Sequence, residues 1–229
     1  EVYMNLKKYL SDKGHSISVG DEGGFAPNLG RSEEVLETII TSIEEIGLVY
    51  LDDISIALDC AASELYQDNS YHLAGEGKKL SSDQMVEYIT ELSKKYEIKS
   101  IEDPFDEGDW DSWKKFTKLN DNLQVVGDDI FVTQEEILKK GIDENAANSI
   151  LVKLNQVGTL SETMRTISLA KENNFGTVIS HRSGETEDTF ISDLAVAVDA
   201  KQIKTGAPAR SDRTAKYNRL LIIEDELYP

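Results

Sequence analysis

The chain has 229 residues, with 43 Asp or Glu against 24 Lys or Arg and a formal net charge of −19. That balance argues against nucleic acid or anionic membranes as general partners, and no run approaches the ~18 consecutive apolar residues of a membrane span. The single cysteine, Cys60, excludes an internal disulfide framework and a cysteine-based metal cluster, and it fits a reducing cytoplasm. In chain order, the opening EVYMNLKKYL is already helix-like and has neither an initiating Met nor a basic-then-apolar leader, as expected of a piece of a longer protein.

Short β-rich runs then alternate with longer amphipathic ones. Strands are expected at Ile17–Gly20, Ile54–Asp59, Lys99–Glu102, Gln124–Asp128, Ile150–Leu154, Thr177–Ser180 and Gln202–Lys204. Most are near-continuous apolar runs, the pattern of strands covered on both faces. Between them, Ser32 precedes an apolar stripe at Val35, Ile39, Ile43 and Ile46 that Gly47 ends. Ser81 with Gln84, Thr133 with Glu136 and Thr159 with Glu162 have capping-box spacing. No linker or low-complexity segment interrupts residues 1–229, so one α/β domain of parallel βα units is expected.

Polar residues choose between a doubly wound sheet and a closed barrel. Asp59, Glu102, Asp128, Lys153, His181 and Lys204 each fall at the end of a different expected strand, and from Glu102 onward they are 26, 25, 28 and 23 residues apart. Barrels of the (β/α)₈ type assemble their sites in this way. No GxGxxG turn or P-loop is present to mark a doubly wound switch point. Seven strands are expected here, against the eight of a complete barrel.

An acidic strand end is ordinarily a cap or a solvated loop residue. Three of them, Asp59, Glu102 and Asp128, at one barrel mouth repel one another unless a cation lies between, and carboxylate oxygens suit Mg²⁺ better than Zn²⁺. Asp103 and Asp129 alternate to the other side and are expected to act as supporting or capping groups. Lys153, within the apolar SILVKLN, faces a polar interior or guards a sheet edge. Near metal ions and shielded from water, a lysine serves as a general base. In SHRSGETED, Arg182 and Ser183 are donors for an anion. Glu22 lies in the Gly-rich loop VGDEGGFAPN, where Gly23–Gly24 allows motion. An acidic protein taking an anionic substrate needs such a local positive site.

The segments GDEGGFAPN, ALDCAASELY, SIEDPFDEGDWDSW, GDDIFVT, LVKLNQVGTLSET, SHRSGETEDTFISDLAVA and KQIKTGAPARSDRTAKYN together resemble the enolase family, in its order and spacing and over essentially the whole chain. Lys201 stands where the family often has Gly, and Asp212 where Glu is common. The resemblance implies an enolase-type (β/α)₈ TIM barrel, incomplete here and preceded in the family by an α+β domain. It implies Mg²⁺-dependent interconversion of 2-phosphoglycerate and phosphoenolpyruvate in glycolysis, with two Mg²⁺ per site. By position it makes Glu22 the proton donor and Lys153 the proton acceptor. It makes Asp59, Glu102 and Asp128 the metal ligands, and Glu102, Asp128, Ser180, His181, Arg182, Ser183 and Lys204 the substrate contacts. A cytoplasmic homo-oligomer, dimer or octamer, is implied, with a secondary surface pool in some organisms; the 229-residue stretch alone is expected to be inactive. The rival readings are a racemase of the wider superfamily, which would lack the SHRS and IKTGAP combination, and a surface-receptor role.

Overall fold

The computed structural model describes residues 1–228. In chain order the elements are α1 (Val2–Asp12), α2 (Ser32–Glu44), β1 (Ala57–Asp59), β2 (Tyr66–Gln67), β3 (Ser70–Leu73), β4 (Lys78–Leu80), α3 (Ser82–Lys95), β5 (Ser100–Glu102), α4 (Trp110–Leu119) and β6 (Gln124–Gly127). They continue with α5 (Glu135–Glu144), β7 (Ser149–Val152), α6 (Leu154–Val157), α7 (Leu160–Glu172), β8 (Gly176–Ser180), α8 (Phe190–Ala197), β9 (Gln202–Lys204) and α9 (Ser211–Leu227). Among the described residues no helix is long and apolar enough to cross a membrane. The chain divides into two compact units, Leu29–Gly176 and a second made of Glu1–Asn28 with the segment from Thr177 on.

In the Leu29–Gly176 unit the strands β1, β5, β6 and β7 are parallel and adjacent in that order, with Leu58 opposite Ile101, Ile101 opposite Val125 and Gly127 opposite Ile150. Ile101, Val125, Ile150, Leu151 and Val152 are wholly buried, as the continuous apolar runs require. Helices cover this sheet because their apolar residues recur on one face: Met85, Val86, Ile89 and Leu92 of α3 are all buried. Behind α4, Phe105 meets Trp113 and Phe116 edge-to-face at 6.1 and 5.4 Å between ring centroids.

The expected caps have three different outcomes. Ser81 and Gln84 form a complete capping box, the Gln84 N–H donating to Ser81 Oγ at 3.3 Å and the Ser81 N–H to Gln84 Oε1 at 2.9 Å. Thr159 caps α7 by accepting from the Glu162 N–H at 3.2 Å. Thr133 does not cap α5; Gln134 holds that position, and Thr133 is drawn into the site described below. A second sheet, β2-β3-β4, is antiparallel and was not foreseen. Its turn was readable, since Asp68 and Asn69 are both left-handed (φ 51 and 56), as a two-residue type I′ loop demands.

Phe131 is wedged against two glycines. A Cβ on Gly141 would lie 2.3 Å from its Cε1, and one on Gly127 would lie 2.5 Å from its Cδ2. Alanine in mid-helix ordinarily gains ~1 kcal/mol over glycine. Here Gly141→Ala should instead lower stability by about 1–3 kcal/mol through overpacking, measured by denaturant unfolding; an unchanged or higher midpoint would contradict this.

In the other unit, β8 and β9 pair in parallel, with Val178 opposite Gln202 and Ser180 opposite Lys204. Helix α9 turns Arg213 and Lys216 inward, 0% and 1% exposed. The strand expected at Ile17–Gly20 is absent. Its backbone bonds go to its own loop instead: Val19 bridges Phe25 antiparallel, the Gly20 N–H donates to the Gly24 carbonyl at 2.9 Å and the Ala26 N–H to the Ser18 carbonyl at 3.2 Å. Six of the seven expected strands therefore form among the described residues.

Candidate active site

The expected site residues fall into two groups, one in each unit. In the Leu29–Gly176 unit, Asp59 and Glu102 end β1 and β5 and are register partners, so their side chains leave the sheet on the same face. Glu102 is opposite Val126, and Asp128 follows Val126 by two residues on that face. Val126 is opposite Ser149, and Lys153 follows Ser149 by four. Register alone thus puts Asp59, Glu102, Asp128 and Lys153 on one side of the sheet, near the strands' C-terminal ends. Glu102 and Asp128 are buried, whereas Asp59 is exposed.

Lys153 lies one residue beyond β7, in extended conformation at the start of α6, rather than inside the strand as expected. Its Nζ makes a short contact with Asp128 Oδ2, and Gln156 Nε2 donates to Asp128 Oδ1 at 3.2 Å. Thr133, fully buried, donates to Gln156 Oε1 at 2.6 Å and accepts the Lys153 N–H at 3.0 Å. This closes a ring of Lys153, Asp128, Gln156 and Thr133. Reaching it requires left-handed backbone at two successive β-branched residues, Val132 (φ 43) and Thr133 (φ 58). Gln156 is not singled out by the sequence and Thr133 is expected only as a helix cap, since neither residue type signals chemistry alone.

Asp103 acts as the supporting group expected of it. Its two carboxylate oxygens accept the backbone N–H groups of Asp128 (2.8 Å) and Asp129 (3.0 Å), which fixes the turn that carries Asp128. Burial, opposed by those two hydrogen bonds and aided by the charges of Asp128 and Asp129, pushes the Asp103 carboxyl up to about 7. Burial and then the neighbouring Asp59, Asp103 and Glu102 push the Cys60 thiol up to about 12, which leaves it an inert neutral group. Carboxylate oxygens of Asp103, Asp128 and Asp129 come within 4.8 Å of one another, a grouping able to hold a metal ion. It shares only Asp128 with the expected ligands Asp59, Glu102 and Asp128. The donors on this face are all hard oxygens, which fits a divalent cation of the Mg²⁺ kind and no soft metal.

The unit built from both ends of the chain holds the cationic group. Ser180 ends β8, buried, its hydroxyl donating to the His181 carbonyl at 3.0 Å. His181 is 2% exposed, while Arg182 and Ser183 beyond it are exposed. The Lys204 carbonyl, at the end of β9, accepts the His181 N–H at 3.0 Å. Glu22 stands beside them: its Oε2 is 3.3 Å from His181 Nε2, and its Oε1 accepts from the Ser183 hydroxyl at 3.4 Å. Gly23 (φ 85) lets the chain pass where a Cβ would lie 2.9 Å from the Ala209 carbonyl, and the Glu22 carbonyl accepts the Ala207 N–H at 2.9 Å.

Sequence reasoning missed Arg213. It donates to His181 Nδ1, to the Arg182 and Ser183 carbonyls (both 2.7 Å) and to the Asp21 carbonyl (3.1 Å), so one buried guanidinium ties the Glu22 loop to the His181 loop. Lys216, three residues on, holds the far end of the His181 loop through Glu185 Oε2 at 3.0 Å.

The close approach of His181, with the charges of Lys204 and Arg213, holds the Glu22 carboxyl down to about 2 against the opposing effect of its partial burial. A depressed carboxyl stabilises the fold fully above its ordinary value of 4.5, and that contribution is lost as pH falls towards 2. The stability difference between wild type and Glu22→Gln should therefore shrink between pH 5 and 2.5 (about the window those two values define), followed by urea unfolding. A constant difference would contradict the assignment.

Comparison with known proteins gives concordant results. The family model described as "Enolase, C-terminal TIM barrel domain" matches residues 1–228. A protein of Natranaerobius thermophilus named Enolase is 56% identical over 229 residues, all of this chain and 54% of that protein. The chain thus spans about half the length of the curated relative it matches.

Proposed function

The chain belongs to the enolase C-terminal TIM-barrel domain family, and from that membership we propose that the protein carrying it dehydrates 2-phosphoglycerate reversibly to phosphoenolpyruvate. What supports this reading is the match over residues 1–228, together with the placement of Lys153, His181 and Lys204 at or just beyond strand ends and of Glu22 beside His181.

The reaction removes a proton from the carbon beside a carboxylate and expels a hydroxyl group from the next carbon. Lys153 Nζ takes that proton, the C–H electron pair becomes the new C=C bond, and the C–O bond breaks. Hydroxide is a poor leaving group, so Glu22 supplies a proton and water departs. Arg182 and Ser183 bind the phosphate through donors suited to its oxygens, and Lys204 binds the substrate carboxylate. Ser180 and His181, further expected substrate contacts, lead into the turn that carries Arg182 and Ser183. Asp59, Glu102 and Asp128 would hold Mg²⁺, which when bound neutralises charge building on the substrate carboxylate. Lys153, already against Asp128, would start from a place beside those ligands.

Basic residues such as Arg182 and Lys204, and the carboxylates that would hold a cation, answer how a chain of net charge −19 takes an anionic substrate. A cytoplasmic location is supported by the lone cysteine, and a homo-oligomer by the family resemblance alone. In the intact protein, phosphoenolpyruvate formation from 2-phosphoglycerate should disappear on chelation and return with added Mg²⁺. No turnover with Mg²⁺ present would overturn the reading.

A further inference from the structure

We propose that Arg213 is a positioning residue that fixes the tautomer of His181, so that the ring offers Nε2–H, and not a lone pair, to the Glu22 carboxylate. The catalytic consequence rests on the function proposed above, but the tautomer itself does not.

A guanidinium carries five N–H donors, no acceptor and a permanent charge. Its Nη1 lies against His181 Nδ1. The ring nitrogen there must present its lone pair, and in neutral imidazole the proton then sits on Nε2. Nε2 lies 3.3 Å from Glu22 Oε2 and is buried without an aligned hydrogen bond. The donor therefore lies beside the carboxylate, and a small movement of the Glu22 side chain, which is 43% exposed, would align the two.

Neither partner can leave this arrangement. Arg213 is 0% exposed and His181 2%, so neither has water as an alternative. The guanidinium is held by carbonyls of Asp21, Arg182 and Ser183, while its Nε is 3.3 Å from Asp212 Oδ2. Gly206 makes room for it, since a Cβ there would lie 2.9 Å from Arg213 Cδ. The opposite tautomer would set a guanidinium N–H against Nδ1–H and a lone pair against a carboxylate, two repulsive contacts in a buried place. Arg213 touches no reacting atom; it acts through His181.

The test is the ¹⁵N spectrum of histidine-labelled intact protein, with His181→Gln used to assign the ring signals. Wild type should show His181 as the Nε2–H tautomer alone. Arg213→Met should give mixed tautomers, and Arg213→Lys, which keeps a cationic donor, should restore the Nε2–H form. Turnover of Arg213→Met should fall about 10–100-fold, the usual effect of removing a partner that orients a functional side chain, with KM little changed. A wild-type proton on Nδ1 overturns the proposal, as does an unshifted tautomer in folded Arg213→Met. Should Arg213→Met fail to fold, the wild-type and Arg213→Lys spectra decide: Nε2–H in both supports the proposal, and Nδ1–H in either overturns it. An intact protein that does not dehydrate 2-phosphoglycerate refutes the function above and leaves the spectral result standing.

Discussion

Lys153→Ala in the intact protein should abolish exchange of the substrate's α-proton with solvent, a loss of about 10²–10⁴-fold or more. Lys153 is held from both ends. Thr133 Oγ1 accepts its backbone N–H at 3.0 Å, and its Nζ rests on Asp128. With Nζ gone, Asp128 and Gln156 remain beside the vacated position, one an ionisable acceptor in a grouping able to hold a cation and the other an amide that takes no proton. Exchange is measured as deuterium entering 2-phosphoglycerate recovered from D₂O before net conversion. Exchange within tenfold of wild type would remove Lys153 from the role of base.

Glu22→Gln should lose dehydration by a similar factor of about 10²–10⁴ and yet retain most of the α-proton exchange. The amide keeps the size of the side chain and can still accept from the Ser183 hydroxyl, which lies 3.4 Å from Oε1 in wild type. It cannot give up a proton to a leaving hydroxyl. Proton removal, if it precedes C–O cleavage, then continues without product formation. Equal loss of both activities would merge the two roles assigned to Glu22 and Lys153. The Glu22 carboxyl is held down to about 2. That depression, caused first by His181 and then by the charges of Lys204 and Arg213, favours the carboxylate, and an anion bound beside Arg182 and Ser183 would act against it and favour the acid form.

Much of the site was legible because strand ends leave a mark in sequence. Asp59, Glu102, Asp128, Lys153, His181 and Lys204 each interrupt or close an apolar run, and each is found at a strand end or one residue beyond it. Arg213 left no such mark. In SDRTAKYN it reads as an exposed helix cation, and its burial follows from four acceptors that arrive from loops remote in the chain. Thr133 misled for the converse reason. Its spacing to Glu136 matches a capping box, but a hydroxyl able to complete a ring with Lys153 and Gln156 has a competing use, and tertiary contacts decided the outcome. Ile17–Gly20 failed because alternation is shared by sheet strands and by short chains that fold back on themselves; the glycines at 20, 23 and 24 favoured the second.

The left-handed pair Val132–Thr133 has a consequence for anyone improving this protein. For β-branched residues each such conformation costs about 1–2 kcal/mol, and the pair sits where α5 begins without a side-chain cap. Glycine at 132 would remove half of that strain, but it would also slacken the link that delivers Thr133 to Lys153. Selection for heat tolerance and selection for turnover would then accept opposite residues at this position, and consensus design that treats it as a neutral loop would trade one property for the other without notice.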